Sequence, residues 1–115
     1  MTAGESAPIK LTTSGHTVVA TLIGDFDMQA TFTVEPVLER ALQTPGLRRI
    51  DLDLHRLHFI DSTGMGVIVR LHAEAQRRGI ELQLRRGPPP VHRVFEKTGL
   101  AEALPFSAPD GQQTA

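Results

Sequence analysis

Ile50-Asp51-Leu52-Asp53-Leu54-His55-Arg56-Leu57-His58-Phe59-Ile60-Asp61-Ser62-Thr63-Gly64-Met65-Gly66 is the most informative stretch of this chain. Its first five residues alternate apolar and acidic, the two-residue period of a strand with one face on a core. Leu57 to Ile60 forms a second apolar cluster, and Asp61-Ser62-Thr63-Gly64 then carries the residues that open a helix. From there to Arg78 the chain reads as helix, with Met65, Ile68, Val69, His72 and Ala75 along one side and Gly79 as its C-cap. Beyond it Ile80, Leu82 and Leu84 alternate with Glu81, Gln83 and Arg85, giving another strand.

On the N-terminal side, Thr17 to Ile23 is rich in β-branched residues and stops at Gly24. Ile9 to Thr12 is expected to pair with it as a hairpin across Thr13-Ser14-Gly15-His16. Val34, Val37, Leu38, Ala41 and Leu42 recur at helical intervals. Thr33 is the expected cap of that helix, Pro36 falls in its first turn, and Pro45-Gly46 ends it. On the C-terminal side, Pro88-Pro89-Pro90 opens a helix with Val91, Val94, Phe95 and Thr98 inward, and Leu100, Ala103, Leu104 and Phe106 form a short closing turn. Alternating strands and helices with one-faced patterns predict an α/β domain. Its expected form is a mixed four- to five-stranded sheet with three to four helices mainly on one face. The ordered unit is expected over residues 9–106, between flexible ends at 1–8 and 107–115.

The 115 residues suit one domain. Twelve Lys and Arg against thirteen Asp and Glu give a net charge of −1, which argues against direct nucleic-acid binding. The absence of Cys removes thiol catalysis and Cys-ligated metal sites. Met1 to Pro8 has neither the basic start nor the apolar run of a secretory signal, and no stretch of the chain is apolar enough to span a membrane. The expectation is a cytoplasmic protein with no membrane association.

His55 and His58, with Asp51, Asp53 and Asp61, are the nearest approach to a metal-ligand set, but no third spaced His completes it, so they read as surface or turn residues. Asp61-Ser62-Thr63-Gly64-Met65-Gly66 is not the Gly-x-Ser-x-Gly of a nucleophile elbow. Gly64-x-Gly66 lacks the third glycine of a dinucleotide loop. The sequence therefore predicts no catalytic residue, no metal and no resident cofactor. What Asp61-Ser62-Thr63-Gly64 does place is two adjacent hydroxyls at a helix start. Such a hydroxyl serves either as an N-cap or as a phosphoacceptor, since a helix N-terminus favours added negative charge by about 0.3–1 kcal/mol.

The run Asp53 to Gly66 resembles the signature of STAS domains, Asp-Leu, a short spacer, then Phe-Ile-Asp-Ser-Ser/Thr-Gly-Leu-Gly. Gly24-Asp25-Phe26-Asp27 is similar to that family's Gly-Glu-Leu-Asp. The resemblance covers residues 9–106, and stand-alone domains of this length most resemble bacterial anti-sigma-factor antagonists. It implies a partner-switching protein that is not itself an enzyme. The unphosphorylated form would bind an anti-sigma factor that is also an ATP-dependent serine kinase, and so release a sigma factor. Phosphorylation would eject it and a phosphatase would restore it. Carried over, Ser62 is the phosphoacceptor, with Thr63 the less favoured hydroxyl. Asp25, Asp27, Asp61, Ser62, Thr63, Gly64 and Met65 form the implied partner-facing set, and the free protein is expected to be a monomer. The alternative within the same fold is a STAS subunit of a lipid transporter or stress-signalling scaffold without a phosphorylation switch. Met28 to Thr33 match the family's small-residue stretch poorly.

Overall fold

The computed structural model describes residues 7–107. Eight elements follow in order: β1 (Ile9–Ser14), β2 (Thr17–Phe26), α1 (Met28–Ala41), β3 (Arg49–Ile60), α2 (Ser62–Arg78), β4 (Glu81–Arg85), α3 (Pro89–Lys97) and α4 (Leu100–Ala103). The four strands form one mixed sheet in the order β1-β2-β3-β4. β1 runs antiparallel to β2, and the β2–β3 and β3–β4 pairs are parallel.

Register explains why the helices share one face. Val18 pairs with Ile50 and Ile50 with Leu82, while Ala20 pairs with Leu52 and Leu52 with Leu84, and all six are buried. The opposite face carries Thr21, Asp51 and Gln83 and stays open to solvent, its Arg49 guanidinium donating to Asp51 at 2.7 Å and to Gln83. Two successive parallel steps in one direction require crossovers of one hand, which lay α1 and α2 on the same side. There α1 packs along α2, and Arg70 reaches across to grip Glu35 with two hydrogen bonds of 2.8 and 3.1 Å.

The structure moves several expected boundaries. β2 does not stop at Gly24 but runs to Phe26, and β3 is one strand through Ile60. Register shifts between Thr21 and Ile23, and again between Gly24 and Asp25, put two extra residues into β3. These are bulges, which break the two-residue period and re-aim the strand. Gly24 accommodates the second with φ +84°, a conformation costly for any side chain. The first is held by Asp53, whose carboxylate accepts the His55 amide at 2.9 Å and bonds its ring Nδ1 at 2.7 Å. That is the role of the unusual His55. His58 is exposed, and no group of three His, Cys, Asp or Glu among the described residues is placed to hold a metal.

α1 begins at Met28 rather than near Thr33, because Asp27 caps it by accepting the Ala30 amide at 3.0 Å. Pro36 therefore lies inside the helix rather than in its first turn. On α2 the inward stripe is Met65, Val67, Ile68, Leu71 and Ala75, while Val69 is exposed and His72 half-buried. On α3 His92 is buried and Thr98 is exposed. Phe106 forms an isolated parallel bridge to Leu84 at the sheet edge, the nearest approach to a fifth strand. The expected flexible ends fall mostly outside the described residues. Ala7, Pro8 and Ser107 do not: the Pro8 carbonyl accepts the Ile23 amide at 2.9 Å, and the Ser107 amide donates to Leu84 at 2.8 Å.

Candidate functional site

The bulged end of β3 delivers Asp61 and Ser62 to the C-terminal edge of the sheet, where α1 and α2 both begin. Asp61 is the N-cap of α2, with extended backbone (φ −112°, ψ −175°). One carboxylate oxygen, Oδ1, accepts the Gly64 amide at 3.0 Å and the Thr63 hydroxyl at 2.6 Å. The other, Oδ2, accepts the Met28 amide at the start of α1, 3.2 Å away. The Thr63 hydroxyl first, then the Gly64 and Met28 amides, hold the Asp61 carboxyl below the usual carboxylate range. It is thus an anion with its donors in place and a poor proton acceptor for a neighbouring hydroxyl.

Ser62 is the first residue of α2 and is exposed. Among the described residues its hydroxyl has no hydrogen-bond partner, whereas that of Thr63 is taken by Asp61. The two adjacent hydroxyls are therefore inequivalent: Asp61 is the cap, it engages the Thr63 hydroxyl, and the Ser62 hydroxyl is left free. No histidine hydrogen-bonds Ser62 among the described residues. It stands at the amide-rich end of a 17-residue helix, where added negative charge is favoured.

The other expected site residues separate into two groups. Asp25 is exposed at the end of β2, paired in register with Phe59, and Asp27 is half-buried as the α1 cap. Gly64 and Met65 face the core. A Cβ on Gly64 would sit 2.4 Å from the Phe26 carbonyl oxygen, so that glycine lets α2 close onto the end of β2. Neither position presents a side chain to the surface.

Sequence reading missed an exposed apolar set, a collar carried by α1, β3 and α2, the three elements that meet near Ser62. Phe32 is 75% exposed, Met28 59% and Phe59 50%, with Val69 also exposed. Met28 and Phe32 lie one turn apart on α1, Phe59 precedes Asp61 by two residues, and Val69 follows Ser62 by two helical turns on the same face. The signal was present in the poorly matching Met28 to Thr33, whose Met-x-x-x-Phe spacing becomes a surface stripe once Asp27 is the cap.

The STAS domain family model matches residues 8–109, and the chain belongs to that family. It is 31% identical over 89 residues to an anti-sigma F factor antagonist of Paenibacillus polymyxa, covering 77% of this chain and 76% of the relative. Among solved structures, the fold is similar to the anti-sigma factor antagonist SpoIIAA in its unphosphorylated form. The TM-score is 0.75 at 23% identity, over 92% of this chain and 91% of that one. It is also similar to the Bacillus cell fate determinant SpoIIAA in the phosphorylated form, with TM-score 0.69 at 22% identity over 92% and 95% of the two chains. Among the described residues no helix is long and apolar enough to cross a membrane.

Proposed function

We propose that this chain is an anti-sigma-factor antagonist switched at Ser62. In its unphosphorylated form it binds an anti-sigma factor that is also an ATP-dependent serine kinase, and a sigma factor is released. The kinase phosphorylates Ser62 and the complex dissociates; a phosphatase resets the protein. ATP belongs to the kinase, and the antagonist works in the cytoplasm, as a monomer when free, without touching nucleic acid.

The observation that carries this reading is the free, exposed Ser62 hydroxyl beside a Thr63 hydroxyl already engaged by Asp61. The apolar collar supports it, since exposed aromatic and methionine side chains are the common anchors of protein interfaces. The relative from Paenibacillus polymyxa, an anti-sigma F factor antagonist by name, supports the partner class. Phosphorylation would add about −1.5 to −2 charges at the start of α2, one of the elements that carry that collar. The helix N-terminus tolerates the charge, so the fold survives. Opposing or desolvating it against a partner costs about 2–5 kcal/mol. At about 1.4 kcal/mol per decade, affinity falls by tens- to thousands-fold.

Titration calorimetry of the cognate kinase against Ser62→Ala and Ser62→Asp tests this. Ser62→Ala should bind like the unmodified protein and resist phosphorylation, and Ser62→Asp should bind at least about tenfold more weakly. Equal binding by Ser62→Asp would refute the switch.

A further inference from the structure

His92 lies far in sequence from the Ser62 site and is one of the two polar side chains buried among the described residues, at 6% exposure. Its Nδ1 is buried without a hydrogen-bond partner. Its ring stacks on Phe95 with centroids 6.2 Å apart and meets the edge of Phe106 at 4.8 Å, while Phe95 and Phe106 pack edge to face at 5.1 Å. A neutral imidazole fits among aromatic rings; a buried imidazolium there leaves a charged N–H without an acceptor.

What covers His92 is a short strap, Pro105 to Ser107. It is tied to the outer edge of β4 by two main-chain hydrogen bonds, both to Leu84: the Leu84 amide donates to Pro105 at 2.9 Å, and the Ser107 amide donates to Leu84 at 2.8 Å. Leu104, buried just before it, anchors the strap's near end. The strap thus holds down one aromatic ring over one histidine.

We infer that His92 and the Pro105–Ser107 strap form an acid-released latch on the edge of β4. With His92 neutral, Phe106 closes over it and Leu84 pairs with the strap. With His92 protonated, the strap lifts so that the imidazolium Nδ1–H reaches water, and the Leu84 amide and carbonyl lose their partners on the strap.

The charged groups acting on His92 set the direction. Arg86, in the turn between β4 and α3, disfavours its protonation; Glu96, on α3, favours it. The strap itself carries no titratable side chain. Burial first, then Arg86, hold the His92 pKa below its ordinary value of 6.5 in the closed form. Opening restores access to water and raises it, so protons bind the open form preferentially. The open fraction therefore grows as pH falls below about 6.5, by up to tenfold per pH unit until the closed-form pKa is passed.

The test is amide exchange and ring contacts in the full-length chain by NMR from pH 7.5 to 5. After correction for intrinsic exchange rates, protection of the Leu84 and Ser107 amides should fall by about tenfold or more. Contacts between the Phe106 and His92 rings should fade with the same midpoint. In His92→Leu, which keeps the site apolar, protection should change less than about twofold. In Phe106→Ala the strap should be open throughout, and the His92 midpoint should move up toward the ordinary value. The latch is refuted if His92 titrates while the Phe106 contacts persist, or if the strap of His92→Leu opens over the same range. It is refuted equally if the His92 midpoint is unmoved by Phe106→Ala.

Discussion

The Asp61 carboxylate accepts the backbone amide of Met28, 33 residues earlier in the chain, at 3.2 Å. One side chain thus caps α2 through Gly64 and holds the first amide of α1. The first four amides of any helix lack partners within it, so two helix starts meeting at one surface need an outside acceptor. Asp61 supplies it for both. It also engages the Thr63 hydroxyl, so of these two exposed residues Ser62 is the one whose hydroxyl is left free.

Asp61→Ala should therefore loosen two helices at once. Hydrogen exchange at Met28 and Gly64 should accelerate together, with α3 unaffected. Because donors hold the Asp61 pKa low in the folded protein, its contribution to stability is complete above the ordinary carboxylate range. That contribution is lost as pH falls through the lowered value. The difference in urea midpoint between wild type and Asp61→Ala should accordingly shrink at strongly acid pH.

Gly64 and Gly66 should respond oppositely to alanine. At Gly64 the new Cβ meets the Phe26 carbonyl at 2.4 Å and the Phe26 ring at 2.9 Å. The backbone must shift, at a cost of about 1–3 kcal/mol. At Gly66 the nearest atom is a guanidinium nitrogen of Arg70 at 3.5 Å, an ordinary contact on a flexible side chain. There alanine should gain up to about 1 kcal/mol of helix propensity. Thermal melts of the two variants should move in opposite directions.

Phe32 should separate binding from folding. Its ring is mostly in solvent, so Phe32→Ala should leave stability within about 0.5 kcal/mol of wild type. If the collar anchors the kinase, affinity should drop by at least about fivefold, the range of a truncated interface aromatic. Calorimetry and a denaturation curve on the same preparation measure both.

Burial of neutral His92 predicts a stability loss on mild acidification. Its folded pKa lies below 6.5, so its contribution is complete above that pH and declines as pH falls from 6.5 toward the folded value. The urea midpoint of wild type should drop between pH 7.5 and 5.5. That of His92→Leu should drop less.

The regular parts of this fold were legible because their signals are local. Ile50, Leu52 and Leu54, then Ile80, Leu82 and Leu84, alternate without interruption, and Gly79 punctuates the helix between them. β3 beyond Leu54 was not legible as the same strand, since two bulges set by its pairing with β2 shift the period. The face of α2 was misjudged by part of a turn because Val69 and His72 flank the same core stripe as Val67 and Leu71. Contact with α1 chooses between them. His92 is buried by Phe106 folding over it, a contact that no helical period encodes. At the site, the Asp-Ser-Thr-Gly run announced the hydroxyls. Which one is free depended on the side-chain geometry of Asp61, and the collar depended on where α1 begins.

Everything proposed for the switch turns on the Ser62 hydroxyl. Phosphopeptide mass spectrometry on the protein purified from its own cells, before and after stress, tests it most directly. A phosphate is expected on Ser62 rather than Thr63, with an occupancy that changes with condition. A Ser62 free of phosphate under every condition, or a phosphate confined to Thr63, would contradict it.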